Sequence, residues 1–166
     1  MLLSHTSELA IRAALFLALQ PPGKLSTVQE IAAGTGLPKS YLAKIVHQLA
    51  DAGLVRSFRG PGGGIELGRA PEAISLWAVV RAMNGPTEAE GCVLGSQFCS
   101  PGNPCPLHLN WAPLQKKMQE VLDQTTLATL VTTLRERAKT SEKGAARGTP
   151  SLIRGNSGEG DRRHAT

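Results

Sequence analysis

The chain has 166 residues, of which 41% are hydrophobic, and a formal net charge of +5. This length predicts one folded domain, and no apolar run is long enough to span a membrane, so we expect a cytoplasmic protein. Lys and Arg outnumber Asp and Glu in residues 1–70 and 139–166 but not in 71–138. Basic segments favour a partner rich in phosphate groups, such as a nucleic acid. The sequence contains no recognisable nucleophile-base pair or pair of carboxylates, so we do not expect an enzyme.

Two helices are predicted at the start of the chain. Apolar side chains recur at helical spacing from Leu9 to Ala18, and the sequence PPG at residues 21–23 ends this first helix. The second helix begins in STVQE, residues 26–30, and ends near Gly34. Its start fits either of two capping boxes, Ser26 with Gln29 or Thr27 with Glu30.

A third helix is expected to start at Pro38, which suits the first turn, and to run to about Asp51. One face is an apolar stripe of Leu42, Ile45, Val46 and Leu49. The opposite face has no acid and comprises Lys39, Ser40, Ala43, Lys44, His47 and Gln48. The short link to the second helix indicates a helix-turn-helix, whose DNA contacts we expect from Lys39, Ser40, Tyr41 and Lys44. An ordinary solvated helix face is the alternative.

A β-hairpin with a glycine-rich tip is predicted after the third helix. Two short β-type runs, Leu54 to Phe58 and Ile65 to Leu67, flank the sequence RGPGGG. Beside a recognition helix this hairpin is a wing, and a glycine tip can lie close to a sugar-phosphate backbone. The expected DNA contacts of the wing are Arg56, Arg59, Gly62 and Gly63. A nucleotide cradle is the alternative, but the Gly-Lys-Ser/Thr sequence that it needs is missing.

These motifs together resemble the Rrf-type family of winged-helix iron-sulfur transcriptional regulators (IscR/NsrR/RirA-like). The resemblance rests on LPKSYLAKIVHQLADAGLV (37–55), RGPGGGIEL (59–67) and the clustered cysteines that follow, and it covers about residues 1–138. It implies a mainly α fold with a small β-hairpin, namely a winged helix-turn-helix with a C-terminal dimerisation helix. It also implies a homodimeric regulator, most often a repressor, whose iron-sulfur cluster senses cluster supply, iron, nitric oxide or redox state.

The chain has three cysteines, Cys92, Cys99 and Cys105, all in one loop, which fits a disulfide framework poorly. His108 is the local candidate for a fourth ligand, as in the IscR branch, although the first cysteine spacing is one residue longer than in that branch. The resemblance offers Glu8, supplied across the dimer, as the alternative. Zinc is the competing metal, but its structural ligands usually come in closer pairs. We expect an iron-sulfur cluster, with 2Fe-2S favoured and 4Fe-4S as the alternative.

An amphipathic helix after the loop predicts a dimer contact, with packing inside one subunit as the alternative. Its apolar positions are Leu107, Trp111, Leu114, Met118, Val121 and Leu122. A homodimer would place two recognition helices on a near-palindromic double-stranded DNA operator. The expected division is a winged helix-turn-helix DNA-binding domain (1–83), a cysteine loop (84–106), a dimerisation helix with a short terminal helix (107–138) and a disordered basic tail (139–166).

Two other functions stay open from the sequence. An iron-sulfur carrier or electron-transfer protein would use the same loop but would not need a basic helix and wing. A zinc-stabilised winged-helix module would mediate protein contacts. Measurements of DNA binding and of the bound metal separate the three functions.

Overall fold

The computed structural model describes residues 3–89, 92, 99–100 and 102–141. The elements in these residues are α1 (His5–Leu19), α2 (Val28–Thr35), α3 (Lys39–Asp51), β1 (Val55–Phe58), β2 (Gly64–Leu67), α4 (Leu76–Ala89), α5 (His108–Gln124) and α6 (Leu127–Ser141). This is the mainly α winged-helix architecture that the sequence predicts. None of these helices is long and apolar enough to cross a membrane. The expected disordered tail lies outside the described residues from residue 142 onward.

The second helix begins with the capping box of Thr27 and Glu30, and not with that of Ser26 and Gln29. Thr27 Oγ1 accepts a hydrogen bond from the Glu30 backbone N–H at 3.1 Å, and the Glu30 carboxylate accepts one from the Thr27 N–H at 2.7 Å. The bond from the Thr27 backbone lowers the pKa of Glu30 below its usual value. Ser26 is buried instead, and its backbone N–H and C=O pair with Ile65 at 2.9 and 2.8 Å. The link between α1 and α2 therefore pairs with β2 of the hairpin through one antiparallel bridge, between Ser26 and Ile65.

Glycine is required at the tip of the hairpin. β1 and β2 pair antiparallel, with Phe58 opposite Gly64. Gly60 and Gly62 have φ values of +96° and +78°, a region that side chains with a Cβ rarely adopt. A Cβ on Gly63 would lie 2.3 Å from the Phe58 carbonyl oxygen. The RGPGGG sequence thus produces the tight wing that was predicted from it.

The last described helix, α6, packs in the same core as α1 and α3. Leu127, Val131 and Leu134 are buried in the same apolar cluster as the inner faces of α1 and α3. Thr125 has an extended backbone that ends α5 and turns the chain back. From its sequence, this segment is expected to be a short terminal helix that belongs with the dimerisation helix and ends at residue 138. In the structure, α6 is a helix of the core and continues to Ser141. A backbone hydrogen bond from Leu127 to Ile74 holds the start of α6 against the residues before α4.

Leu127→Ala is expected to lower the free energy of unfolding by about 2–5 kcal/mol, because it removes a fully buried side chain and leaves a cavity. Thr132→Ala, an exposed position on the same helix, is the control and is expected to change it by less than about 0.5 kcal/mol. Urea unfolding followed by circular dichroism measures both. Equal, small effects would contradict the packing of α6 in the core.

Candidate nucleic-acid interface and metal centre

The recognition helix α3 has one buried and one exposed face, as its pattern predicts. The buried side chains are Leu42, Ile45, Val46 and Leu49. The exposed side chains include the four expected DNA contacts Lys39, Ser40, Tyr41 and Lys44. Asp51, at the end of the helix, pairs with His47, with 3.5 Å between Oδ1 and Nδ1. A face of hydroxyl and amine donors therefore projects into solvent, which is what a helix entering the major groove needs.

The two arginines of the wing differ in their surroundings. Arg56 Nη2 lies 3.0 Å from Glu66 Oε1 on the paired strand, so its charge is partly balanced within the hairpin. Arg59 is exposed beside the tip, and a Cβ on Gly62 would meet no atom within 4 Å, so the tip is open to an approaching backbone. Phe58, which the sequence did not single out, is 45% exposed on the same face of β1 as Arg56. Alternation along the strand does not predict this exposure, because only Val55 of the four residues of β1 is buried.

The three cysteines converge on one point. Their sulfur atoms all lie within 4.8 Å of one another, and none of the three forms a disulfide. A tight turn in which Ser100 and Asn103 exchange backbone hydrogen bonds brings the chain around between Cys99 and Cys105. The Cys105 carbonyl then accepts from the His108 N–H at 2.9 Å, which starts the first turn of α5. The loop is therefore folded so that sulfur atoms and an imidazole face one another.

Two close contacts connect members of the group of four candidate ligands. Cys92 Sγ lies 3.5 Å from Cys105 Sγ, and Cys99 Sγ lies 3.2 Å from His108 Nδ1. The Cys105 backbone N–H, which donates to Cys99 Sγ at 3.4 Å, lowers the pKa of the Cys99 thiol. Burial and the neighbouring thiols raise that pKa by more, so it lies above the usual value for a thiol. Three crowded thiolates would repel one another, and a bound cation relieves that repulsion.

Glu8 has other partners within the subunit. It lies in the first turn of α1, where its carboxylate pairs with the Arg12 guanidinium and lies 3.6 Å from His5 Nδ1. The group of ligand atoms within 4.8 Å of one another, as far as the structure describes the chain, consists of the three cysteines. A role for Glu8 at the metal would therefore need a second subunit.

The donor set fits a metal centre. Thiolate and imidazole are the ligands of both iron-sulfur clusters and zinc. Three thiols and one imidazole are also the number of protein ligands that a two-iron cluster takes, two at each iron. The sulfur separation of 3.5 Å is also near the roughly 3.8 Å that Zn–S bonds of about 2.3 Å give in a tetrahedron. The geometry therefore supports a metal and leaves both kinds open.

Helix α5 exposes an apolar surface. None of its side chains is buried in the subunit. The large apolar side chains exposed on or beside it are Leu107, Leu109, Leu114 and Val121. Leu109, at 79% exposure, was not among the positions predicted from the helical pattern. Leu122 packs against Trp77 and Val80 of α4, so the far end of α5 is anchored while its first turns lie beside the cysteine loop.

Known proteins similar to this chain are transcriptional regulators. A family model named Rrf2 and described as an iron-dependent transcriptional regulator matches residues 3–133. A putative HTH-type transcriptional regulator of Aquifex aeolicus is 34% identical over 133 residues, which are 79% of this chain and 92% of the relative. The HTH-type transcriptional regulator IscR of Erwinia tasmaniensis is 35% identical over 131 residues, 79% of each chain.

Solved structures show the same fold. CymR, the global cysteine regulator of B. subtilis, has a TM-score of 0.66 and 29% identity, covering 79% of this chain and 96% of that one. T. potens IscR has a TM-score of 0.62 and 27% identity, covering 88% of this chain and 93% of that one. None of these relatives is named as an enzyme. Together, the iron dependence named for the family and the three convergent thiols suggest an iron-sulfur cofactor.

Proposed function

Because this chain belongs to the Rrf2 family and is a DNA-binding transcriptional regulator, we propose that an iron-sulfur cluster held by Cys92, Cys99 and Cys105 controls its affinity for operator DNA. The observation that carries the proposal is the convergence of the three sulfur atoms within 4.8 Å in the loop that joins α4 to α5. A bound cluster supplies a centre that responds to iron, nitric oxide, redox state or cluster supply.

We assign His108 as the fourth ligand and favour a 2Fe-2S cluster. The support is that His108 Nδ1 lies 3.2 Å from Cys99 Sγ, so the loop offers four protein ligands, enough for two irons with two ligands each. A 4Fe-4S cluster and a carboxylate from Glu8 of the second subunit are the alternatives.

The cysteine loop is well placed to control the angle between α4 and α5. At one end, the Leu76 N–H at the start of α4 donates to the carbonyl of Thr125, which ends α5, at 2.9 Å. Beside it, the Leu127 N–H at the start of α6 donates to the Ile74 carbonyl at 2.9 Å. At the other end, α4 and α5 are joined through the cysteines. A metal held by the three thiols would close this second connection, and its loss would leave α5 attached at one end only.

A polar contact links the middle of α4 to the start of α1. Asn84 Oδ1 accepts hydrogen bonds from Ser4 Oγ at 2.7 Å and from the buried Ser7 Oγ at 2.9 Å. Ser4 also caps α1, and α1 packs directly against α3. A shift of α4 that starts in the cysteine loop would therefore be transmitted through α1 to α3, the recognition helix. The sequence did not indicate this path, because the hydroxyls and the amide lie far apart in the chain.

For the DNA complex we propose a homodimer on a near-palindromic site, formed in the cytoplasm. Helix α3 would enter the major groove with the side chains of Lys39, Ser40, Tyr41 and Lys44. The wing would contact the DNA backbone through Arg56, Arg59, Gly62 and Gly63. The exposed apolar side chains of α5 would be buried between the two subunits. Of the wing residues, Arg59 is assigned the main phosphate contact because Arg56 already pairs with Glu66.

Arg59→Ala is expected to weaken binding to operator and unrelated DNA alike, because a phosphate contact carries no base information. The slope of log K against log salt should become shallower by about 0.9 for each subunit. Fluorescence anisotropy between about 50 and 200 mM salt measures it. Arg56→Ala is the matched control and should have the smaller effect. An unchanged slope in Arg59→Ala would contradict the assignment of the wing.

The cofactor proposal is tested on protein purified without oxygen, by counting iron and acid-labile sulfide and recording the visible spectrum. Equal amounts of iron and sulfide with charge-transfer bands support it. Zinc without sulfide would instead support the zinc-stabilised module, which the 3.5 Å sulfur separation favours as a second candidate. An iron-sulfur carrier would hold the cluster but show no preference for operator over unrelated DNA.

A further inference from the structure

One buried hydrogen-bond donor lies near the cysteine loop without a protein partner. Trp111 Nε1 is buried and has no hydrogen-bond acceptor among the described residues. An indole N–H can only donate, and buried donors in folded proteins are nearly always paired with protein, water or a bound group. The position of this indole therefore calls for an acceptor that the described part of the chain does not supply.

Trp111 is in the first turns of α5, the helix that follows the cysteine loop. It follows His108 by three residues, so the two side chains share one face of the first turns of the helix. His108 Nδ1 lies 3.2 Å from Cys99 Sγ. Long helical side chains lean toward the N-terminus of their helix, and the N-terminus of α5 leads into the cysteine loop. Position 111 is therefore on the face of α5 that carries His108, near the end of the helix at which the sulfur atoms meet.

Core packing does not account for the placement of this indole. Trp111 is half-buried and belongs to neither apolar cluster of the described residues. The other tryptophan, Trp77, is 5% exposed and packs with Val80 and Leu122 between α4 and α5. The two tryptophans of the chain therefore have different surroundings, and only one has the ordinary environment of a core residue.

We infer that the indole N–H of Trp111 donates a hydrogen bond to a sulfur atom of the bound cluster and raises its reduction potential. This rests on the proposed function, because the acceptor is a cluster sulfide or a cysteine sulfur bound to iron. Hydrogen bonds to these sulfurs are among the factors that set the potential of an iron-sulfur centre, since they stabilise the added negative charge of the reduced form. Trp111 is in this sense a tuning residue and not a ligand.

The first test compares Trp111→Phe with the unsubstituted holoprotein, because phenylalanine keeps an aromatic ring but has no N–H. The cluster should still assemble. Titration with dithionite and redox mediators should show a lower reduction potential. A tenfold shift in the ratio of reduced to oxidised cluster would correspond to about 59 mV for one electron. Trp77→Phe is the matched control and should leave the potential unchanged.

The second test observes the indole directly and does not depend on the Trp111 variant folding. The chain has two tryptophans, so Trp77→Phe leaves one indole N–H signal in a nitrogen-15 spectrum. That signal should shift or broaden when the cluster is loaded and return when it is removed.

An unchanged potential in Trp111→Phe with an intact chromophore would overturn this inference and leave the proposed function standing. So would an indole signal that changes with protein concentration but not with cluster loading, since the acceptor would then lie in the dimer contact. A protein that binds no cluster at all would fail earlier, in the iron and sulfide counts, and would overturn both.

Discussion

Replacing any one of Cys92, Cys99 and Cys105 with alanine is expected to abolish the cluster chromophore and to produce the DNA binding of cluster-free protein. The reason is that the three sulfur atoms form one group within 4.8 Å, so the loss of one leaves an incomplete set. Operator affinity should change by about 5- to 150-fold, which is the usual range of coupling between two sites. Binding to unrelated DNA should change little, because it depends on phosphate contacts that the loop does not make.

The measurement is anisotropy with an operator duplex and a scrambled duplex at one salt concentration. Ser100→Ala is the matched control. It lies in the same loop, and its hydroxyl accepts a bond of 3.1 Å from the Asn103 N–H. A single cysteine variant that kept both the chromophore and the normal operator affinity would contradict the assignment of that ligand.

The same spectra identify the fourth ligand. His108→Ala should accelerate cluster loss, because the imidazole already lies 3.2 Å from Cys99 Sγ. Glu8→Ala should leave the rate unchanged if the loop supplies all four ligands, and should accelerate loss if the carboxylate crosses the dimer. Equal stability of both variants and of the double variant would exclude both residues as ligands.

Leu114→Glu is expected to separate the dimer and to weaken operator binding by about 100-fold or more, because two linked half-sites are then no longer engaged together. Leu114 is 63% exposed within the subunit, so the substitution should not unfold it. A charge placed in an apolar contact between subunits, by contrast, loses its hydration without gaining a partner. The expected result is a folded monomer with normal non-specific DNA binding.

Light scattering at several protein concentrations measures the oligomeric state, and thermal unfolding confirms the fold. Lys116→Glu is the control, since it also introduces an acid at an exposed position of α5 but lies two residues away, on another face. If Leu114→Glu were still dimeric, the interface would have to lie elsewhere than on this face of α5.

Much of the DNA-binding half was readable from the sequence because its signals are local. The apolar stripe of α3 depends only on the spacing of residues along a helix. The wing depends on glycines that alone tolerate the positive φ values of its tip. The cysteine spacing similarly indicated a metal centre, because three thiols in one short loop can reach one another without help from the rest of the fold.

Only the tertiary structure decided the features that depend on residues far apart in the chain. Thr27 caps α2 because the backbone of Ser26 is used by Ile65 of the wing. The pairing of Cys99 with His108 depends on how the loop enters α5. Leu127 of α6 enters the core where its own backbone N–H donates to the Ile74 carbonyl, far away in the chain. A helical or strand pattern reports which face of an element is apolar, but the partner of that face is chosen by packing among all the elements together.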